Sequence, residues 1–155
     1  MDEGKAKEAA AEKRKKGWID VWMAFETVAI KKEVTESAIN AHIEKMGKVK
    51  DTLVYDTKVK EAVKVEKIPE NFKKKIPAGG EMWSQVAETR AVFKDLFTLI
   101  NVVMVYGPSA VEIHEPSKYS MKVGEMQNIT NLVAGLLHEF ASAGAGGVVI
   151  SGERG

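Results

Sequence analysis

The stretch DLFTLINVVMVYGPSAVEI, which runs from Asp95 to Ile113, decides the fold because it predicts a helix, a stop and a strand in direct succession. Asp95 can accept hydrogen bonds from the first free backbone amides of a helix. Five apolar residues then recur at helical spacing, namely Leu96, Leu99, Ile100, Val103 and Met104. Gly107 can adopt the left-handed conformation that closes a helix, and Pro108 cannot continue one. A short strand is therefore predicted from Ala110.

The first half of the chain repeats this order of elements. Apolar residues alternate from Ile19 to Ala29 and predict a half-buried strand. Thr35 is predicted to cap the following helix, which ends at Gly47. Alternation over 53–65 predicts a second strand. With a third strand predicted over 82–93, the chain contains two consecutive β–α–β units.

Two such units predict an α+β fold of the ferredoxin-like type, with an antiparallel sheet and helices on one face. Residues 67–80 are predicted to form a basic Pro/Gly loop between the two halves. A single domain is predicted over 17–151, with a charged leader at 1–16 that has no apolar stripe to bury and a tail at 152–155. Val148–Ile150 is predicted to form a short terminal strand. An extra C-terminal helix is predicted from an apolar stripe formed by Met126, Ile129, Val133, Leu136, Leu137 and Phe140.

The composition excludes several classes of protein. The net charge is +1, so the chain lacks the overall basicity of a dedicated nucleic-acid binder. There is no cysteine, which excludes disulfide scaffolds and thiolate metal sites. The longest apolar run is shorter than the roughly 20 residues that cross a bilayer. We expect a cytoplasmic protein with no membrane partner and no cofactor.

Four segments resemble an uncharacterised family of small archaeal proteins. They are WMAFETVAI, TESAINAHIEKM, YGPSAVEIHEP and NITNLVAGLLHEFASAGAGGVVI, and the similarity covers about residues 18–151. The resemblance implies a ferredoxin-like α+β fold and oligomerisation. It implies no activity, because none of these segments contains a catalytic motif.

One set of residues is a candidate for a metal site or for acid–base catalysis. It consists of Glu112, His114 and Glu115 at the end of a predicted strand. Carboxylates and an imidazole at this spacing could bind a divalent cation or transfer a proton. A solvated strand end with alternating charge explains the same residues, and we favour that interpretation. The glycines of 144–147 follow a helix instead of preceding one, so they lack the geometry of a phosphate-binding loop.

Nucleic-acid binding is a second alternative, because lysines line the second strand and the loop after it. Phosphate contacts require such a row of positive charge, and exposed tryptophans could stack on bases. Lysines on an edge strand also protect a sheet against aggregation, so this alternative is not favoured. The lysines in question are Lys58, Lys60, Lys64, Lys73, Lys74 and Lys75.

The favoured hypothesis is a self-associating protein that binds a small ligand or a partner without catalysis. Trp18 and Trp22 lie four residues apart on one predicted strand face, and tryptophans are frequent in subunit interfaces. Ligand sites frequently form where subunits meet. Tyr106 and Ser109, which flank the Gly-Pro turn, are the further candidates for such a site. The sequence thus predicts a homo-oligomer whose ligand it does not identify.

Overall fold

The computed structural model describes residues 2–144, which divide into two compact units between Lys118 and Tyr119. The predicted terminal strand Val148–Ile150 and the tail at 152–155 lie outside the described residues. The described part of the second unit contains one helix, α5, over Val123–Ser142. The first unit contains α1 Glu3–Lys15, β1 Ile19–Ala29, α2 Lys32–Gly47, β2 Thr52–Val59, β3 Val63–Lys64, α3 Glu70–Lys73, β4 Trp83–Phe93, α4 Leu96–Tyr106 and β5 Ala110–Glu115.

The five strands form one antiparallel sheet in the order β2-β4-β1-β5, and β3 pairs with β4 beyond the end of β2. β1 and β4 pair along their whole length, from Ile19↔Phe93 to Ala29↔Trp83. β5 adds to the other side of β1, and β2 to the other side of β4. This strand order is that of a ferredoxin-like split β–α–β fold, which confirms the predicted fold class.

The main core lies between the sheet and α2. Because successive strand residues point to opposite faces, Val21, Met23 and Phe25 share the face that meets the helix. All three are buried, and the Phe25 ring lies 5.5 Å from that of His42 on α2. Gln85 of β4 is buried on the same face and accepts a hydrogen bond from Thr35 of α2 at 2.7 Å.

Helix α1 packs against the opposite face of the sheet, although the sequence of residues 1–16 predicts a leader with nothing to bury. Ala6 and Ala10 are buried, and Val92 of β4, which points away from α2, is fully buried as well. Two alanines one turn apart let a helix approach a sheet closely without a large apolar stripe. The side chain of Arg14 then reaches Asp20 on β1 at 3.8 Å.

The helix ends predicted for α4 are confirmed, whereas the start predicted for α2 is wrong. Asp95 caps α4, because its carboxylate accepts a hydrogen bond from the Thr98 amide at 2.8 Å, and Gly107 closes the helix with φ of 57°. The cap predicted at Thr35 is wrong, because α2 begins at Lys32. Thr35 lies within the first turn, where its hydroxyl bonds the Lys32 carbonyl as well as the buried Gln85 amide oxygen.

Candidate functional site

The face of the sheet that points away from α2 has an uncovered part, which we call the open face. Trp22 and Glu26 of β1 and Arg90 of β4 lie on it. α1 covers the end of this face nearest Asp20. A pocket lies at the other end of this face, near Val28 at the C-terminal end of β1. The open face therefore has a packed end and a hollow end.

A buried carboxylate ties the packed end together. Asp20 is 3% exposed and accepts hydrogen bonds from the Tyr55 hydroxyl and the Arg90 guanidinium, both at 2.7 Å. Arg14 of α1 adds a second positive charge at 3.8 Å. Burial works to lower the pKa of Arg90, but the hydrogen bond and charge of Asp20 outweigh it and raise that pKa. This Asp20 cluster joins α1, β1, β2 and β4.

The Asp20 cluster makes stability depend on alkaline pH. Burial raises the pKa of Tyr55 from 10.0 to about 12, and the bond to Asp20 adds to this effect. The contribution of Tyr55 to stability is therefore fully present below pH 10 and is lost as pH rises to about 12, because the unfolded state ionises first. Tyr55→Phe should cost about 1 kcal/mol near neutral pH, through the lost hydrogen bond.

The difference in free energy of unfolding between wild type and Tyr55→Phe should then shrink as pH rises above 10. Urea unfolding at a series of pH values measures it, and Tyr106→Phe serves as a control outside the Asp20 cluster. A difference that stays constant up to about pH 12 would show that Tyr55 ionises no later in the folded state than in the unfolded one.

The hollow end of the open face is a shallow pocket of about 440 Å³ that is wide open to solvent, and we call it the ligand pocket. Apolar side chains form most of its lining, and Glu26, Lys67 and Ser109 supply the polar groups. The apolar residues come from the end of β1, the segment after β3 and the residue before β4, and comprise Val28, Val65, Pro69, Phe72 and Met82.

Backbone and side-chain bonds hold the walls of the ligand pocket in place. The amide of Val65 donates to the Met82 carbonyl at 2.8 Å, which ties the segment after β3 to the start of β4. The Ser109 amide donates to the Ala24 carbonyl, also at 2.8 Å. Glu26 accepts a hydrogen bond from the Ser84 hydroxyl at 2.6 Å through one of its two carboxylate oxygens.

The four residues predicted for an interface or ligand site lie in different places. Trp18 precedes β1, and the ammonium of Lys13 lies 4.0 Å from the centre of its ring. Trp22 is half-buried on the open face. Tyr106 packs against His42, with their ring centres 5.2 Å apart. Of the four, Ser109 lines the ligand pocket.

Three of the six lysines predicted for nucleic-acid binding are paired with acids. Lys60 lies 3.1 Å from Glu88, and Lys64 lies 2.9 Å from Glu81. Lys73 of α3 pairs with Glu70 at 2.8 Å. Of the other three lysines, Lys58 lines a small cavity beside Trp22, and Lys74 and Lys75 are exposed. These pairs reduce the positive charge available to phosphates, and nucleic-acid binding stays a prediction.

The predicted metal or acid–base set is only partly brought together. Glu112 and His114 lie on one side of β5, with a carboxylate oxygen and the imidazole Nε2 3.4 Å apart. Glu115 instead pairs in register with Asp20, after a shift in the β1–β5 pairing. Within residues 2–144, no three histidine or acidic side chains are grouped so that they could hold a metal ion.

Sequence reasoning missed the Asp20 cluster and most of the ligand pocket. The one available signal was Asp20 itself, a charged residue inside the apolar stretch IDVWMAF. Buried carboxylates require partners, so such a residue predicts an arginine or a hydroxyl close to it. Glu26 and Lys67 carry no comparable signal, because charged residues at strand ends and in loops are usually solvated.

The second unit presents an unburied apolar stripe. Met126, Ile129, Val133, Leu136 and Phe140 follow one another at alternating intervals of three and four residues along α5, and the helix contains no buried residue. Met126 is 53% exposed, Val133 42% and Phe140 46%. An apolar stripe of this kind is typical of a helix that packs against another surface. None of the helices in the described residues is long and apolar enough to cross a membrane.

Comparison with known proteins identifies a family. The MJ0538 family, named after a protein of Methanocaldococcus jannaschii, matches residues 20–151, which is most of the chain. The chain therefore belongs to this family, and the expected archaeal type of family is confirmed. Neither the curated proteins nor the solved structures that were compared contain a match.

Proposed function

We propose that this member of the MJ0538 family is a self-associating protein that binds a small ligand in the ligand pocket. The pocket itself carries the proposal. Its volume of about 440 Å³ is in the range of small-molecule sites, which run from about 300 to 1,000 Å³. Such sites combine a mainly apolar lining with a few polar groups that orient the ligand, and Glu26, Lys67 and Ser109 are the polar groups here.

Self-association is supported by the stripe on α5. The occupant that fits it best is the α5 helix of a second copy, packed antiparallel about a two-fold axis at Val133. Met126 and Phe140 are each seven residues from Val133, so this arrangement places each Met126 against the Phe140 of the other copy. A thioether and an aromatic ring pack favourably. A stripe that complements itself in this way suits the isologous contact of a dimer.

The helix dipole of α5 favours the same antiparallel pairing. In that arrangement the dipoles of the two helices oppose each other, which is favourable. A parallel pair would place like helix ends side by side.

Blocking the ligand pocket tests the proposed binding. Val28 lines the pocket and is 42% exposed, so Val28→Trp should fill the space without disturbing the core. Native mass spectrometry of protein isolated from its own cells should show a retained small molecule on wild type and none on Val28→Trp. Val34→Trp, at a position on α2 that is 47% exposed and outside the pocket lining, is the matched control and should retain the ligand.

Two results would contradict the proposal. One is a ligand that persists on Val28→Trp, because its site would then lie elsewhere. The other is a wild-type protein that carries no ligand and whose thermal unfolding is unchanged by every compound of a broad set of small metabolites.

A further inference from the structure

Resting on the proposed function, the chemistry of the ligand pocket narrows the class of its ligand. We infer that it takes an apolar α-amino acid, with the ligand carboxylate at Lys67, the ligand ammonium at Glu26 and the side chain among Val65, Phe72 and Met82.

The two charged side chains of the pocket have opposite sign, and each retains a free binding position. Glu26 uses one oxygen for Ser84 and keeps the other. Lys67 forms no ion pair with any acidic side chain in residues 2–144. A ligand with a single charge would satisfy one of these groups and partly desolvate the other without compensation, which costs free energy. A ligand that carries both charges compensates both.

Ser109 adds a polar contact that suits the same ligand. Its hydroxyl donates to the Ala24 carbonyl at 3.2 Å, so its oxygen is left as an acceptor. An acceptor here matches the ammonium end of the ligand, as does the free oxygen of Glu26. The pocket thus offers two acceptors and one cation.

The apolar walls and the volume of the pocket define the rest of the ligand. Val65 and Phe72 are half-buried, so each leaves apolar surface that a ligand side chain would cover. A volume of about 440 Å³ accommodates an amino acid the size of leucine or phenylalanine. Burying such a side chain is worth about 1.5–3 kcal/mol, which is enough to favour apolar over polar amino acids.

Calorimetric titration of wild-type protein with L-phenylalanine and L-leucine tests this inference. The analogues 3-phenylpropanoate and 2-phenylethylamine keep the ring but lack one charge each. We expect at least one of the two amino acids to bind, and L-phenylalanine to bind at least 10-fold more tightly than either analogue if the ring is accepted. Lys67→Met and Glu26→Gln should each raise the Kd of the amino acid at least 10-fold. Lys74→Met, which removes an exposed lysine outside the pocket, should leave it unchanged.

The possible failures separate this inference from the proposed function. If an analogue with one charge binds as tightly as the amino acids, or if Lys67→Met leaves the Kd unchanged, the ligand is not recognised as a zwitterion. The proposal that the pocket binds a small ligand is unaffected by that result. If none of the four compounds binds at millimolar concentration, the inference is overturned. The proposed function is overturned only by a ligand that persists on Val28→Trp, or by a wild-type protein that carries no ligand and whose thermal unfolding no small metabolite changes.

Discussion

A Val133→Lys variant is expected to be monomeric at micromolar concentrations at which we expect the wild-type protein to form the proposed dimer. Val133 lies at the centre of the α5 stripe, so the substitution places two ammonium groups, one from each copy, at the two-fold axis. Burying these like charges without partners costs several kcal/mol. Since about 1.4 kcal/mol is a factor of ten, the dimer Kd should rise at least 100-fold.

The control for this variant is Asn131→Lys, which adds the same charge on the opposite side of the same helix. It should leave the dimer intact. Sedimentation velocity over a range of concentrations measures both variants and wild type. A wild-type protein that is monomeric throughout would contradict self-association itself.

The tryptophan interface expected from the sequence can be tested in the same experiment. If Trp22→Ala dissociates the dimer while Val133→Lys does not, the protein self-associates through the open face and the assignment to α5 is wrong. If Val133→Lys dissociates it and Trp22→Ala does not, α5 forms the contact.

Asp20→Ala is expected to lower the free energy of unfolding by about 3 kcal/mol. The substitution leaves the guanidinium of Arg90 and the hydroxyl of Tyr55 without the acceptor that both now share at 2.7 Å. Removing one partner of a buried ion pair costs about 3–5 kcal/mol, and the partial exposure of Arg90 places this case at the lower end. Urea unfolding with linear extrapolation measures the change.

Glu112→Ala is the matched control, because it removes a carboxylate from the neighbouring strand β5. The side chain of Glu112 is 69% exposed. It should change stability by less than about 0.5 kcal/mol. The loss of stability in Asp20→Asn should lie between those of Asp20→Ala and Glu112→Ala, because the amide oxygen still accepts one hydrogen bond but the charge is lost. A loss for Asp20→Ala as small as that for Glu112→Ala would mean that the Asp20 cluster contributes nothing to the fold.

Local chemistry was sufficient to predict several elements from the sequence. The cap at Asp95 and the stop at Gly107 depend on residues within one turn, so their residue types alone identify them. The pleat of β1 is equally local, because alternation between the two faces appears directly in the order of residues from Ile19 to Phe25.

Contacts between distant segments could not be predicted in the same way. Ala6 and Ala10 form no recognisable stripe, since their small side chains signal close approach only once the sheet that they contact is known. Thr35 was a reasonable cap by residue type, but the buried amide of Gln85 gives it another role. The same limit applies to the ligand pocket, whose polar groups Glu26 and Lys67 are brought together only by the pairing of the strands.

The short pairing of β3 with β4 also has a consequence for the order of events in folding. The entropy lost when two strands meet rises with the length of chain between them. Val63 and Ser84 are joined by a much shorter stretch than Ile19 and Phe93, so β3–β4 is the less costly closure and the central β1–β4 pair the more costly one. We therefore expect the segment between β3 and β4, which forms one wall of the ligand pocket, to close before the central β1–β4 pair forms.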